Sequence, residues 1–215
     1  MIKRRKRSSN TLQDRLVWQA ASLLLAYPDA EHAERIQTAA RLLDHVTGEP
    51  RRLLGETVVG LSLPSPMQLQ QSYVETFDLQ KRCTMLLTYW TAGDTRNRGA
   101  QMVEFTQTYR GAGVEVPKGE APDHLPVVLE FAATVDAEQG RRLLTKYRVP
   151  INVLRQALID AGSAYVGAVS AVSATLPLAV VGETQRLLSS GPPAEAVGLE
   201  PFQLTVPPRR IQEGV

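Results

Sequence analysis

Apolar residues recur at intervals of three and four along nearly the whole chain, and this spacing restricts the possible folds more than any other feature. In the first such run, Leu12, Leu16 and Leu23 fall on neighbouring turns of one helix. No stretch of convincing length alternates apolar and polar residues with the period of two that a half-buried strand requires. With 215 residues, of which 43% are hydrophobic, the chain can bury one substantial core. We therefore predict an all-α fold, a single-domain bundle of about seven to nine helices.

Capping residues predict where some of these helices begin. Thr11 is expected to open the first helix, and Asp29 to cap the second. Ser65, Pro66 and Gln68 stand where a helix would need an N-cap hydroxyl, a proline in its first turn and an amide at its third position. The sequence therefore predicts a capping box at the start of this helix.

The two ends of the chain differ in composition from its middle. Residues 1–10 carry five consecutive basic residues, Lys3 to Arg7, and are predicted to form a basic disordered arm. Residues 11–188 would form the all-α domain, and residues 189–215, rich in proline and glycine, a mobile tail. The formal net charge is +2, so subtracting the five positive charges leaves −3 for the remainder. A mildly acidic body favours a basic partner and argues against nucleic acid as the partner.

Several classes of protein can be excluded from the sequence. Cys83 is the single cysteine, so no disulfide can form within the chain. The apolar stretch 166–182 is interrupted by Pro177 and is shorter than the ~20 residues that a membrane helix needs. Asp14 interrupts the segment that would otherwise resemble an export signal. No serine has the context of a catalytic nucleophile, and Cys83 has no identifiable base. We predict a cytoplasmic protein without membrane insertion, and the residues identify no catalytic site.

The segment "LTYWTAGDTRNRGAQM" combines two aromatic residues, Tyr89 and Trp90, with the turn 93–99. A glycine turn that leads into a helix can bind a phosphate, but this one lacks the spacing and the Lys-Ser/Thr pair of a phosphate-binding loop. A structural role is therefore predicted for this turn. Gly93 would permit the turn, and Asp94 or Thr95 would cap the next helix. Arg96 and Arg98 would form ion pairs. The residues of this predicted turn are Gly93, Asp94, Thr95, Arg96, Arg98 and Gly99.

A second polar motif is "GEAPDHLP". Asp123 is placed to cap a helix, and His124 beside the positive end of the helix dipole is expected to stay neutral. Glu120, Asp123 and His124 could in principle bind a metal ion, but the other two histidines, His32 and His45, are distant in sequence. We predict no metal site.

Two segments resemble the signature motifs of a known family. "YVETFDLQKRCTMLLTYWTAGDTRNRG" (73–99) and "EAPDHLPVVLEFAA" (120–133) are similar to the NarJ type of molybdoenzyme assembly chaperone, a family that also includes the TorD and DmsD types. This resemblance implies an all-α fold without a catalytic centre. It also implies a partner, the N-terminal segment of the nitrate reductase catalytic (alpha) subunit, which the chaperone keeps competent for insertion of molybdenum cofactor. No cofactor would be bound stably, and the protein would be a monomer or a weak dimer.

The resemblance also implies which residues contact this client. Tyr73 and Phe77 match one family motif, and Glu120, Asp123 and His124 match the other. A basic, amphipathic client segment would suit a groove lined by aromatic rings and rimmed by acidic residues. The predicted client-binding residues are Tyr73, Phe77, Tyr89, Trp90, Glu120, Asp123 and His124.

Three alternatives stay open at this point. The client could be a different molybdoenzyme. The turn 93–99 could bind a nucleotide or the pterin of the cofactor, which would make the protein an accessory factor. The basic arm, Lys3 to Arg7, could bind nucleic acid, in which case binding would weaken steeply with salt.

Overall fold

Helices account for nearly all of the regular structure. A computed structural model describes residues 2–93, 96–178 and 182–193, with side chains from Thr11 onward. Over these ranges the chain forms eleven α-helices, no strand and a single bridge between Leu86 and His124. The predicted all-α class is confirmed, with more helices than the seven to nine expected.

The α-helices follow one another along the chain with short connections. They are α1 (Ile2–Leu25), α2 (His32–Leu42), α3 (Glu49–Ser62), α4 (Pro66–Tyr73), α5 (Tyr89–Ala92), α6 (Arg96–Gly111), α7 (Leu125–Glu130), α8 (Ala137–Lys146), α9 (Arg148–Asp160), α10 (Val166–Ala174) and α11 (Glu183–Ser190). Two π-helical turns continue α4 and α7 directly, at Val74–Asp78 and Phe131–Val135. Single 3-10 turns lie at Leu43–His45 and Lys81–Cys83.

Helix α1 lies at the centre of the bundle, where it packs against α2, α3, α7 and α10. Its Trp18 is fully buried and donates a hydrogen bond of 2.8 Å from Nε1 to Thr175 Oγ1. The guanidinium of Arg141 lies 4.8 Å from the centroid of the indole, as in a cation–π contact. Trp18 therefore joins the N-terminal helix to the C-terminal part of the bundle.

Helices α3 and α10 approach each other closely at a small residue of α10. A Cβ atom at Gly167 would lie 2.1 Å from the carbonyl oxygen of Leu53 and 2.6 Å from Thr57 Oγ1. Glycine is therefore required at this crossing for steric reasons.

The predicted helix boundaries are partly confirmed. Ser65 and Gln68 form the expected capping box. Helix α1, however, begins at Ile2 and not at Thr11, because no proline or glycine interrupts the helix before that residue. Asp29 does not cap α2: the N-cap is Glu31, whose N–H donates to Asp29 Oδ1 at 2.8 Å.

The higher helix count also has identifiable sources. The apolar run 151–175 is divided between α9 and α10, and the short helix α5 was not predicted. Residues 194–215 lie outside the described residues, and the division into arm, domain and tail stays a prediction. None of the helices in the described part of the chain is both long and apolar enough to cross a membrane.

Candidate functional site

A cleft with a volume of about 390 Å³ lies between α1, α2 and the segment 117–130. One side of it is apolar and aromatic, with Leu23 from α1, Tyr27 from the loop that follows α1, and Val127 from α7. The hydroxyl of Ser22 donates a buried hydrogen bond of 2.9 Å to the carbonyl oxygen of Pro126, which fixes α1 against the start of α7. The cleft walls are thus attached to each other by the core of the bundle.

The charged groups of the cleft are mostly acidic. Asp29, Glu120 and Glu130 line it, whereas Arg35 is its one arginine or lysine among the described residues. The Arg35 guanidinium donates to the carbonyl oxygen of Tyr27 at 2.5 Å and to Asp29 Oδ1 at 2.7 Å. The hydrogen bond from Arg35 also lowers the pKa of Asp29. Because Arg35 is already paired with Asp29, the carboxylates of Glu120 and Glu130 give the rest of the cleft a negative electrostatic potential.

His124 stands at one wall of the cleft as the N-cap residue of α7. Its Nδ1 lies 3.2 Å from Glu120 Oε2. Burial lowers the pKa of His124, and the neighbouring Glu120 carboxylate opposes this effect without reversing it. The imidazole is therefore neutral at neutral pH, as predicted, and burial is the largest cause.

Asp123 is a structural residue and does not lie at the rim of the cleft. It is fully buried, and its Oδ2 accepts hydrogen bonds from Thr88 N at 3.0 Å and from Thr88 Oγ1 at 2.5 Å. Arg98 Nη2 lies 3.8 Å from its Oδ1. The expectation that Asp123 forms an acidic rim or caps α7 is wrong, because its side chain turns inward to the segment 85–88. This contact positions Glu120 and His124.

Backbone hydrogen bonds reinforce the same attachment. Leu87 N donates to the carbonyl oxygen of Asp123 at 3.1 Å, and Leu125 N donates to that of Met85 at 2.9 Å. Two segments distant in sequence, 85–88 and 123–125, are thereby held side by side. This pairing explains the isolated bridge between Leu86 and His124.

Tyr73 and Phe77 both belong to an aromatic cluster in the core. Their ring centroids are 4.7 Å apart, and Phe77 also lies 4.9 Å from the ring of Tyr165. Only 6% of Tyr73 and 7% of Phe77 is exposed. Tyr73 nevertheless lines the cleft, and its hydroxyl donates to the carbonyl oxygen of Leu25 at 3.2 Å. Phe77 does not line the cleft, so it can affect a bound ligand only by supporting Tyr73.

Tyr89 and Trp90 lie apart from the cleft. Their ring centroids are 5.8 Å from each other, Tyr89 is half-buried, and only 3% of Trp90 is exposed. The structure brings Tyr73, Glu120 and His124 together but does not add these two rings to them. A role for Tyr89 and Trp90 in client binding stays a prediction that the geometry does not support.

The turn at 93–99 is tightly packed where the structure describes it. Gly93 has a φ of +59°, and a Cβ atom there would lie 1.8 Å from the carbonyl oxygen of Pro193. The predicted ion pair of Arg98 is confirmed by its contact with Asp123, and Arg98 Nε also donates to Thr88 Oγ1 at 3.2 Å. An arginine turned inward in this way gives no support to a nucleotide site at this turn.

The other predicted residues of this turn are less informative. Arg96 and Gly99 lie in the first turn of α6 and are exposed. Asp94 and Thr95 lie outside the described residues, so their predicted role as a helix cap stays a prediction. No group of three or more His, Cys, Asp or Glu in the described part of the chain is placed to hold a metal ion.

Sequence reasoning missed several cleft residues. Gln19 and Arg35 line the cleft from α1 and α2, and each has a buried polar atom, Oε1 and Nε respectively, with no hydrogen-bond partner among the described residues. No pattern within the two helices shows that these faces meet. Glu130 had a usable signal, because it is the single charge within the apolar run 125–133.

Comparison with known proteins places the chain in a family. The family model for the nitrate reductase delta subunit matches residues 31–171. A nitrate reductase-like protein, NarX of Mycobacterium tuberculosis, is 54% identical over 160 residues, which cover 74% of this chain and 24% of NarX. This chain therefore spans about a quarter of the length of that relative.

One further relative and one solved structure resemble the chain over most of their own length. The probable nitrate reductase molybdenum cofactor assembly chaperone NarJ of Bacillus subtilis is 33% identical over 73% of this chain and 85% of its own. The crystal structure of a protein described provisionally as a redox enzyme maturation protein, from Archaeoglobus fulgidus, has a TM-score of 0.56 and 21% identity, covering 74% of this chain and 91% of its own. The latter supports the all-α fold. Because the family model covers well over half of the chain, this protein belongs to the nitrate reductase delta subunit family, as its two signature segments predicted.

Proposed function

We propose that this protein is a chaperone for nitrate reductase assembly. It binds a basic, amphipathic segment at the N-terminus of the catalytic (alpha) subunit and keeps that subunit competent for insertion of molybdenum cofactor. It acts in the cytoplasm, has no catalytic activity and leaves the client when the enzyme is assembled.

The acidic cleft is the observation that carries this proposal. Its apolar wall, formed by Leu23, Tyr27 and Val127, offers burial to the apolar face of a helical segment. Glu120 and Glu130 lie beside that wall and attract basic side chains, which raises the association rate and selects against acidic segments. The Bacillus subtilis relative, named as a probable nitrate reductase molybdenum cofactor assembly chaperone, supports this choice of client.

Titration calorimetry tests the proposal directly. The purified chain is titrated with a peptide of about the first 40 residues of a nitrate reductase catalytic subunit from the same organism, and with the same peptide after its basic residues are neutralised. We expect a Kd in the micromolar range or lower for the natural peptide and much weaker binding for the neutralised one.

A matched pair of variants assigns the binding to the cleft. Replacing both Glu120 and Glu130 by glutamine should weaken binding by roughly 2- to 30-fold at low salt, since exposed charge pairs contribute about 0.2–1 kcal/mol each. Glu56→Gln, on an exposed face of α3 outside the cleft, is the control and should bind normally. Equal affinities for all three proteins would place the binding site elsewhere. No binding by the unmodified chain would refute recognition of an isolated N-terminal segment.

A further inference from the structure

A second cavity, with a volume of about 180 Å³, adjoins the acidic cleft. Pro117, Val127 and Glu130 line both cavities, so the two are neighbours that share a wall, and we call the pair the groove. The second cavity differs from the first in chemistry, because most of its lining is apolar. We call it the anchor pocket.

The anchor pocket is built from two parts of the chain. The loop after α6 contributes Val114 and Val116, which are half-buried and pack against the core. The π-helical turn that follows α7 contributes Phe131 and Val135. The ring of Phe131 lies 4.7 Å from that of Tyr109 in the last turns of α6, and this contact holds the π-helical turn against α6 and the loop that follows it. The pocket therefore has a rigid aromatic base and room for one apolar side chain.

Val135 lies at the mouth of the anchor pocket. It is 44% exposed, although it is one of the larger apolar residues of the turn. Covering an exposed apolar side chain beside a preformed apolar cavity removes apolar surface from water, and this burial contributes favourably to the free energy of ligand binding.

The charges around the groove restrict what this ligand can be. Four carboxylates line the two cavities, from Asp29, Glu115, Glu120 and Glu130, and Glu130 lies on the ridge between the cavities. Among the described lining residues, the one arginine or lysine is Arg35, which is already bound to Asp29. The groove is therefore acidic along its length and would repel an acidic peptide.

We infer that the anchor pocket receives one apolar side chain, of the size of leucine, methionine or phenylalanine, from a basic client segment. A basic residue of the same segment lies beside Glu130, and the rest of the segment continues into the acidic cleft. This inference rests on the proposed chaperone function and adds to it the position that determines specificity. A client is recognised by an apolar anchor together with neighbouring positive charge.

A matched pair of valine variants tests the pocket. Val135→Lys places a positive charge at its mouth, and Val103→Lys makes the same change on α6, where the valine is 49% exposed and lines neither cavity. Because both valines are well exposed, both variants should fold, which circular dichroism and thermal melting would verify. We expect Val135→Lys to weaken binding of the catalytic-subunit peptide by about 10- to 100-fold and Val103→Lys to leave it unchanged.

A peptide series identifies the anchor. Each apolar residue of the peptide is replaced in turn by alanine, and one replacement should weaken binding to the unmodified chain by about 10- to 100-fold. The same replacement should cost much less with Val135→Lys, because the pocket is already blocked. Equal binding by Val135→Lys and Val103→Lys, with tight binding by the unmodified chain, would overturn the anchor pocket alone. No binding by the unmodified chain would overturn both the pocket and the proposed recognition of an isolated N-terminal segment.

Discussion

Replacement of Asp123 by alanine should lower the free energy of unfolding of the protein without removing a contact to the client. The change removes the acceptor for two buried donors, Thr88 N–H at 3.0 Å and Thr88 Oγ1–H at 2.5 Å. A buried donor left without an acceptor costs about 1–3 kcal/mol. Counting both donors near the low end of that range, and adding the lost charge partner of Arg98, gives a loss of about 3 kcal/mol in the free energy of unfolding.

Urea denaturation followed by circular dichroism measures this loss. In thermal unfolding, the melting temperature of a domain of this size should fall by roughly 6–12 °C, since each kcal/mol corresponds to about 2–4 °C. Asp123→Asn retains an acceptor for Thr88 and should lose less stability than Asp123→Ala. A loss below about 1 kcal/mol for Asp123→Ala would refute the structural role. Unchanged stability combined with lost peptide binding would instead restore Asp123 as a client contact.

Three further predictions concern packing and pH. Gly167→Ala should lower the free energy of unfolding by about 1–3 kcal/mol, because the added methyl group would meet the backbone of α3. Gly55→Ala has nothing within 4 Å of the added methyl group and should stabilise α3 by about 0.5–1 kcal/mol. Urea denaturation compares the two variants. Burial lowers the pKa of His124, so the neutral ring stabilises the fold above its unfolded pKa of about 6.5, and that contribution is lost as pH falls. The free energy of unfolding of His124→Gln should therefore fall less steeply between about pH 7 and pH 5 than that of the unmodified chain. An equally steep fall would contradict this prediction. Burial raises the pKa of Tyr165 to about 12, so the neutral phenol stabilises the fold below about pH 10, and this stabilisation is lost as pH rises towards 12. The free energy of unfolding of Tyr165→Phe should therefore fall less steeply at alkaline pH than that of the unmodified chain.

Local signals in the sequence predict local structure well in this protein. The capping box of Ser65 and Gln68 depends on residues three apart, and it forms as expected. The all-α class, predicted from apolar residues three and four apart, is likewise confirmed. Both predictions hold because the interactions that decide them involve neighbours in sequence.

Long-range contacts account for what the sequence could not predict. Asp123 has the local context of a helix cap, but its carboxylate is bound by Thr88, 35 residues earlier in the chain. Gln19 and Arg35 enter the cleft because α1 and α2 pack in a particular rotation, and each helix alone gives no indication of it. The family resemblance predicted Tyr73, Glu120 and His124 at the cleft but could not distinguish a supporting ring such as Phe77 from a lining one.

The two π-helical turns have a consequence for how the family can diversify. Each turn accommodates one residue more than an α-helical turn would, at Val74–Asp78 beside Tyr73 and at Phe131–Val135 beside the anchor pocket. Deleting one residue in either turn would restore an ordinary helix and rotate every later side chain of that element by about 100°. At Phe131–Val135 the rotation would remove Val135 from the mouth of the pocket. A gap of a single residue at these positions in a homologous sequence therefore signals a groove of different shape.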